Sequence, residues 1–256
     1  MCDDHPDVDD GPNAENSSAL GPSRRSILLG AALGGTAAVT GVWPTYADAE
    51  PFLTKTPRIR PRSQWAGSGS PVRGPLQVER AGDVKVLLEH HSASSNSYTA
   101  AAVPGILRSF YRLHVDKGWP DLAYNFLVDR HGGIWEGRAG SATRPVVPSA
   151  TGGTQGFSQI VCWIGDHRST APTTAAQQSM ISMLAWLARK YAVRTDPGST
   201  TSFVSRGSSR FPRGSTVRTR TIEGHRKMSS TVCPGDAAYT IVRDRSQAEV
   251  TRLNRS

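Results

Sequence analysis

His225 and Cys233 stand eight positions apart in the stretch GHRKMSSTVCPGD, residues 224–236. A thiol just ahead of Pro234-Gly235, within reach of an imidazole, suits three chemistries: a disulfide, a metal site or a nucleophile. More imidazole comes from His90-His91, which closes the mostly apolar run VKVLLEHH. Neighbouring side chains on a strand point to opposite faces. Val86, Leu88 and His90 therefore share one face, and Lys85, Leu87, Glu89 and His91 the other, so only one of the two histidines joins any one site. Two imidazoles and a thiolate make a three-ligand zinc set that leaves a fourth position for water. Such a centre acidifies the water and polarises a carbonyl. The nucleophile reading is weaker, because Cys-Pro-Gly does not place the thiol at a clear helix start and no orienting partner for a histidine is evident. Cys162 lies in the apolar run IVCWI and reads as a small core residue, with a Cys162–Cys233 bridge as the disulfide option.

The remaining histidines carry less. His5 belongs to the acidic start, His114 lies on a helix, and His131 and His167 are expected to be solvated at a turn and a strand end.

These residues need a scaffold. Residues 84–90 have strand character. Ser97 to Asp116 reads as a helix capped by Thr99, with Val103, Ile106, Leu107, Phe110, Tyr111 and Val115 at helical spacing. LAYNFLVD, residues 122–129, reads as a strand returning through a turn at 130–133 to Ile134-Trp135-Glu136. Residues 138–157 are loop, 158–164 a strand, and a helix begins at Thr173 or Thr174 and ends near Tyr191. The stretch 195–216 carries few apolar residues, residues 217–222 read as a short strand, and residues 237–245 as a closing helix. This mixture predicts a single α/β domain with a central sheet.

The first 22 residues are acidic and rich in Pro, Gly, Asn and Ser, a composition that cannot form a core. Arg24-Arg25 then precede a Gly/Ala-rich apolar run, residues 27–42, and Ala47-Asp48-Ala49 supplies a small-x-small cleavage pattern. That is an export signal of twin-arginine type, too short and too weakly apolar for the ~20 residues of a membrane span. Removal after Ala49 takes away Cys2 and more acids than bases, so a chain already at net +9 becomes more basic. An exported basic protein suits anionic wall polymers or lipid headgroups. Nucleic acid is excluded as a partner outside the cell, no stable membrane insertion is expected after cleavage, and a monomer is expected.

Four stretches in this order, RSQWAG (62–67), VLLEHHSAS (86–94), FYRLHVDKGWPDLAYNFLVDRHGGIWEGRAG (110–140) and EGHRKMSSTVCPGD (223–236), resemble the family of peptidoglycan recognition proteins and zinc-dependent N-acetylmuramoyl-L-alanine amidases. The resemblance implies a central mixed, mostly β-sheet flanked by helices, with a zinc-containing groove. It implies zinc ligands His90, His225 and Cys233, with Tyr124 and Thr231 as hydrogen-bonding catalytic groups. It implies hydrolysis of the lactyl–L-alanine amide of peptidoglycan, with muropeptides as ligands. The domain then covers residues 57–245, after a lead-in at 50–60 and before a tail at 246–256. The chain departs from the family pattern at Ala150, where active relatives often carry a groove histidine, at Pro120 and Ile160, and at Trp163 and Asp166. A recognition module that binds without turnover is therefore the alternative. Retained Cys233 favours the enzyme, and Ala150 favours the module.

Overall fold

VLLEHH, residues 86–91, is buried along its whole length, as a central parallel strand should be. In the computed structural model, which describes residues 55–256, it is β2 (Val86–His91) of a six-stranded sheet. The other strands are β1 (Ile59–Arg60), β3 (Phe126–Val128), β4 (Ile134–Glu136), β5 (Ser158–Trp163) and β8 (Ile222–Gly224), in the spatial order β1-β4-β3-β5-β2-β8. β3, β5, β2 and β8 run parallel, while β4 is antiparallel to β3 and parallel to β1. The described residues thus form one α/β domain with a mixed sheet, as expected. The export signal expected within residues 1–49 lies outside them. No described helix is long and apolar enough to cross a membrane.

Helices cover both faces of the sheet. α1 (Val103–Asp116) buries Val103, Leu107, Phe110, Tyr111 and His114 against Val86, Leu88, Ile160 and Cys162. α2 (Thr174–Lys190), α3 (Asp236–Ile241) and α4 (Gln247–Arg255) cover the face that carries Leu87, Phe126, Val161 and Trp163. Strand alternation therefore sends His90 to the α1 side and His91 to the other.

Several expectations shift. The first helix begins with a 3-10 turn, Ala100–Ala102, and Thr99 makes no side-chain cap, whereas Thr173 does cap α2 by accepting from the Ala176 N–H. The strand expected over 122–129 starts only at Phe126. Just before it, the Asn125 side chain stands in for a ladder, accepting from Ile160 N at 2.8 Å and donating to the Val146 carbonyl at 2.8 Å. The hairpin turn is tied by Asp129, which accepts from His131 N, Gly133 N and Trp135 Nε1. A Cβ at Gly133 would run into that carboxylate.

The polar stretch 195–216 contains a strand, β6 (Thr200–Val204), paired antiparallel with β7 (Thr216–Arg220) in a separate ribbon. The single strand expected over 217–222 is therefore two, with a break at Thr221. Residues 246–256 are not a tail. A π-helical turn, Val242–Ser246, leads into α4, whose Val250 and Leu253 enter the core.

Candidate metal centre

The register of β2 on β8 places Leu87 beside Ile222, Leu88 beside Glu223 and Glu89 beside Gly224. The next residue on each strand is a histidine. His90 ends the core-facing row of β2, and His225 opens a 3-10 turn, His225–Lys227, at the carboxyl end of β8. The chain then doubles back. Met228 N and Ser229 N donate to the His225 carbonyl at 2.8 and 3.0 Å, and Arg226 N donates to the Cys233 carbonyl at 2.9 Å. This closed loop returns Cys233, followed by a cis Cys233–Pro234 bond, to the two histidines.

The ligand atoms of His90, His225 and Cys233 all lie within 4.8 Å of one another, and all three residues are buried. The His90 and His225 rings stack. Neither ring nitrogen of His90 has a hydrogen-bond partner, a costly state for a buried imidazole that a coordinated cation relieves. Burial, then the neighbouring His225 and His91, holds the His90 pKa well below the usual imidazole range, so the ring is neutral and able to ligate. Soft sulfur and imidazole donors suit zinc among common cations. Cys162 and Cys233 are both buried and do not form the disulfide that was one option.

His91 sits apart from the trio. Its Nδ1 accepts from His167 N at 3.1 Å, while its own backbone N–H lies 3.5 Å from Cys233 Sγ, an orientation that favours a negative sulfur. His167, expected to be solvated, is buried, with Nδ1 2.9 Å from the Thr170 carbonyl. His131 is only half-exposed and reaches the Tyr98 carbonyl. Glu89 faces away from the centre, and burial raises its pKa to about 8, so it adds no negative charge beside the ligands near neutral pH.

Tyr124 is buried with its ring 5.5 Å from that of His90, centroid to centroid. Sequence reasoning gave His114 no role here, yet its ring meets Tyr124 edge-on at 5.4 Å and its Nδ1 accepts from Ala123 N at 3.1 Å. The contact reaches from α1 to the loop after it, which helical periodicity does not reveal. Gly137 also supports the segment, since a Cβ there would lie 2.5 Å from the Tyr124 carbonyl. Thr231 is half-buried, and its Oγ1 accepts from Cys233 N at 3.2 Å. Its hydroxyl proton remains available for another acceptor.

The positions that depart from the family pattern have different surroundings. Ala150 is buried with φ +60° in a loop fastened on both sides. Ser149 N donates to the Ala123 carbonyl at 3.0 Å, and Gly152 packs so tightly that a Cβ would lie 2.7 Å from that of Met228. The loop thus bridges the Tyr124 segment and the turn after His225. Ile160 is a core residue, and the Pro120 carbonyl accepts from Arg73 N.

Comparison with known proteins agrees with this fold. The N-acetylmuramoyl-L-alanine amidase family matches residues 80–236, a span that holds all five candidate residues, and the chain belongs to that family. It is 24% identical over 183 residues to peptidoglycan-recognition protein SC2 of Drosophila simulans, covering 71% of this chain and 83% of that one. It is 27% identical over 198 residues to an N-acetylmuramoyl-L-alanine amidase of Sus scrofa, covering 73% of this chain but 27% of the longer relative. Among solved structures it superposes on human PGRP-IBETAC in complex with glycosamyl muramyl pentapeptide, with TM-score 0.56 and 21% identity, covering 74% of this chain and 97% of that one. The family holds both amidases and recognition proteins.

Proposed function

We propose that the protein is an exported zinc amidase that hydrolyses the amide between the lactyl group of N-acetylmuramic acid and L-alanine in peptidoglycan. The observation that carries this reading is the convergence of Cys233 with His90 and His225. Bound by these three residues, zinc supplies a Lewis acid that polarises the carbonyl and acidifies water. The chain supplies the rest. His90 and His225 are held in place by adjacent strands. Thr231, one lone pair occupied by the Cys233 N–H, donates its proton to the oxyanion that forms as the carbonyl is attacked. Tyr124, packed on His90, orients the attacking water or shares the oxyanion. Water adds to the carbonyl carbon, the C–N bond breaks, and the L-alanine nitrogen leaves with a proton. A muramyl peptide as ligand is supported by its complex with the human relative.

Ala150 favours a second reading, in which the groove binds muropeptides without turnover, because a methyl group cannot hydrogen-bond to substrate. One digest separates the two. The mature protein is incubated with purified peptidoglycan, with and without chelator, and fragments are read by mass spectrometry. Stem peptides with free L-alanine amino termini, lost with chelator and restored by zinc, are the expected result. A zinc-loaded protein that pulls down peptidoglycan and releases none would establish the recognition module instead.

A further inference from the structure

The ribbon of β6 and β7 is a surface without acidic residues. Residues 197–222 include Arg206, Arg210, Arg213, Arg218 and Arg220 and no Asp or Glu. Alternation sorts the ribbon. Phe203 and Val217 turn inward to the core on the α1 side, while Thr200, Ser202, Thr216 and Arg218 turn outward and are exposed. Against the ribbon lies an open groove of about 370 Å³, lined in part by Arg210, Arg218, Arg220, Lys227 and Glu223.

The groove's charges are largely uncompensated. Its one carboxylate, Glu223, is buried, accepts from Gly224 N at 2.9 Å and lies 3.7 Å from Arg220. Arg220 is further pinned by the Val242 and Arg243 carbonyls, each at 2.7 Å. Arg218 donates only to the Thr200 hydroxyl, at 3.2 Å, and Arg210 to the Arg226 carbonyl, at 3.1 Å. Lys227 lies 5.9 Å from the Tyr239 ring. None of Arg210, Arg218 and Lys227 makes an ion pair with a described residue. Like charges gathered along one open groove repel one another and concentrate anions there.

We infer that this groove and the outer face of the ribbon bind an anionic wall polymer whose charges are phosphodiesters. Guanidinium forks match phosphate oxygens in pairs, and the flanking Thr and Ser hydroxyls add neutral donors. The open groove continues into a cationic strand, which suits an extended chain better than a single small anion. The ribbon's one exposed large apolar residue is Val204, too little for an anchor in a bilayer. Its aromatic side chains, Phe203 and Phe211, are buried and half-buried, so it offers no stacking platform for nucleobases. Lys227, which lines the groove, follows His225 by two residues in the same 3-10 turn, so the groove adjoins the loop that carries the candidate metal centre. The inference does not depend on the amidase chemistry.

The test titrates the full chain with fluorescently labelled poly(glycerol phosphate) across a salt series, beside the variant Arg218→Thr/Lys227→Gln. The wild type should bind with log affinity falling linearly in log salt. The variant should bind tenfold or more weakly, with the slope flatter by about one for each cation removed. Its zinc content and melting temperature should match the wild type. Equal affinity and slope in the two proteins would overturn the inference. So would a wild type that binds anionic lipid vesicles or single-stranded oligonucleotides as tightly as poly(glycerol phosphate).

Discussion

The rings of His90 and His225 lie face to face, with centroids 4.2 Å apart and planes 20° apart. Burial, with His225 so close, keeps a proton off the His90 ring, and Cys233 completes the set. His225→Ala and Cys233→Ala should each lower zinc retained after dialysis about tenfold or more, by elemental analysis. Stoichiometric zinc in either variant would remove that residue from the ligand set.

Tyr124 contacts the His90 ring from outside the trio. Tyr124→Phe should therefore keep its zinc and its fold while turnover on muropeptide falls roughly 10²-fold, the usual cost of one donor to a developing oxyanion. Wild-type rates in this variant would confine Tyr124 to packing.

His114 gives a pH dependence of stability. Burial, with smaller contributions from Lys117 and Arg138, lowers its pKa to about 3 from the ordinary imidazole value of 6.5. Between these values the unfolded chain binds a proton that the fold refuses. The stability is complete above about pH 6.5 and is lost as pH falls toward 3, by up to about 1.4 kcal/mol per unit. Thermal melts from pH 7 to pH 4 should show a shallower decline in His114→Gln than in the wild type. Parallel declines would show that other groups set the acid limit.

Gly235 has φ +89°, and a Cβ there would overlap the backbone of His167. The Ala237 N–H donates to the His167 carbonyl at 3.1 Å, across the same contact. Gly235→Ala combines backbone strain of about 1–3 kcal/mol with displacement of the Cys233 loop. Both the melting temperature and zinc affinity should fall. A variant that loses neither would show that the contact relaxes freely.

Ending the chain at Ser246 removes α4 and exposes the surface that covered Val250 and Leu253. At about 1.5–3 kcal/mol for each of the two buried aliphatic side chains, the loss should be about 3–6 kcal/mol in denaturant unfolding. A truncated chain of unchanged midpoint would make α4 an ornament of the fold.

The sequence exposed the parts of this molecule whose pattern is local. α2 shows in its helical spacing and its Thr173 cap, and β2 and β5 in their apolar runs. The scarcity of Cys and His, and the short loop shared by His225 and Cys233, pointed to a metal site among other chemistries, and the family resemblance singled out His90 with them. β7 showed within the strand expected over 217–222, but β6 was hidden because a strand of a two-stranded ribbon buries only alternate residues, leaving Phe203 as its core signal. α4 was hidden because the π turn interrupts the helical period and only Val250 and Leu253 mark its apolar side. His114 and Gly235 act through backbone contacts with distant segments, which no local pattern encodes.

β8 is three residues long and, among the described residues, lies at the rim of the sheet and pairs only with β2. A rim strand this short is easily peeled away. With His90 on β2, His225 just past β8 and Cys233 on the loop beyond, an ion held by the three would act as a clasp on that rim. Because α3 and α4 follow directly, opening the clasp would free the whole carboxyl-terminal segment as one unit. Metal starvation should thus loosen this end of the chain before the rest, making it the first region to exchange its amide hydrogens and the first to meet a protease.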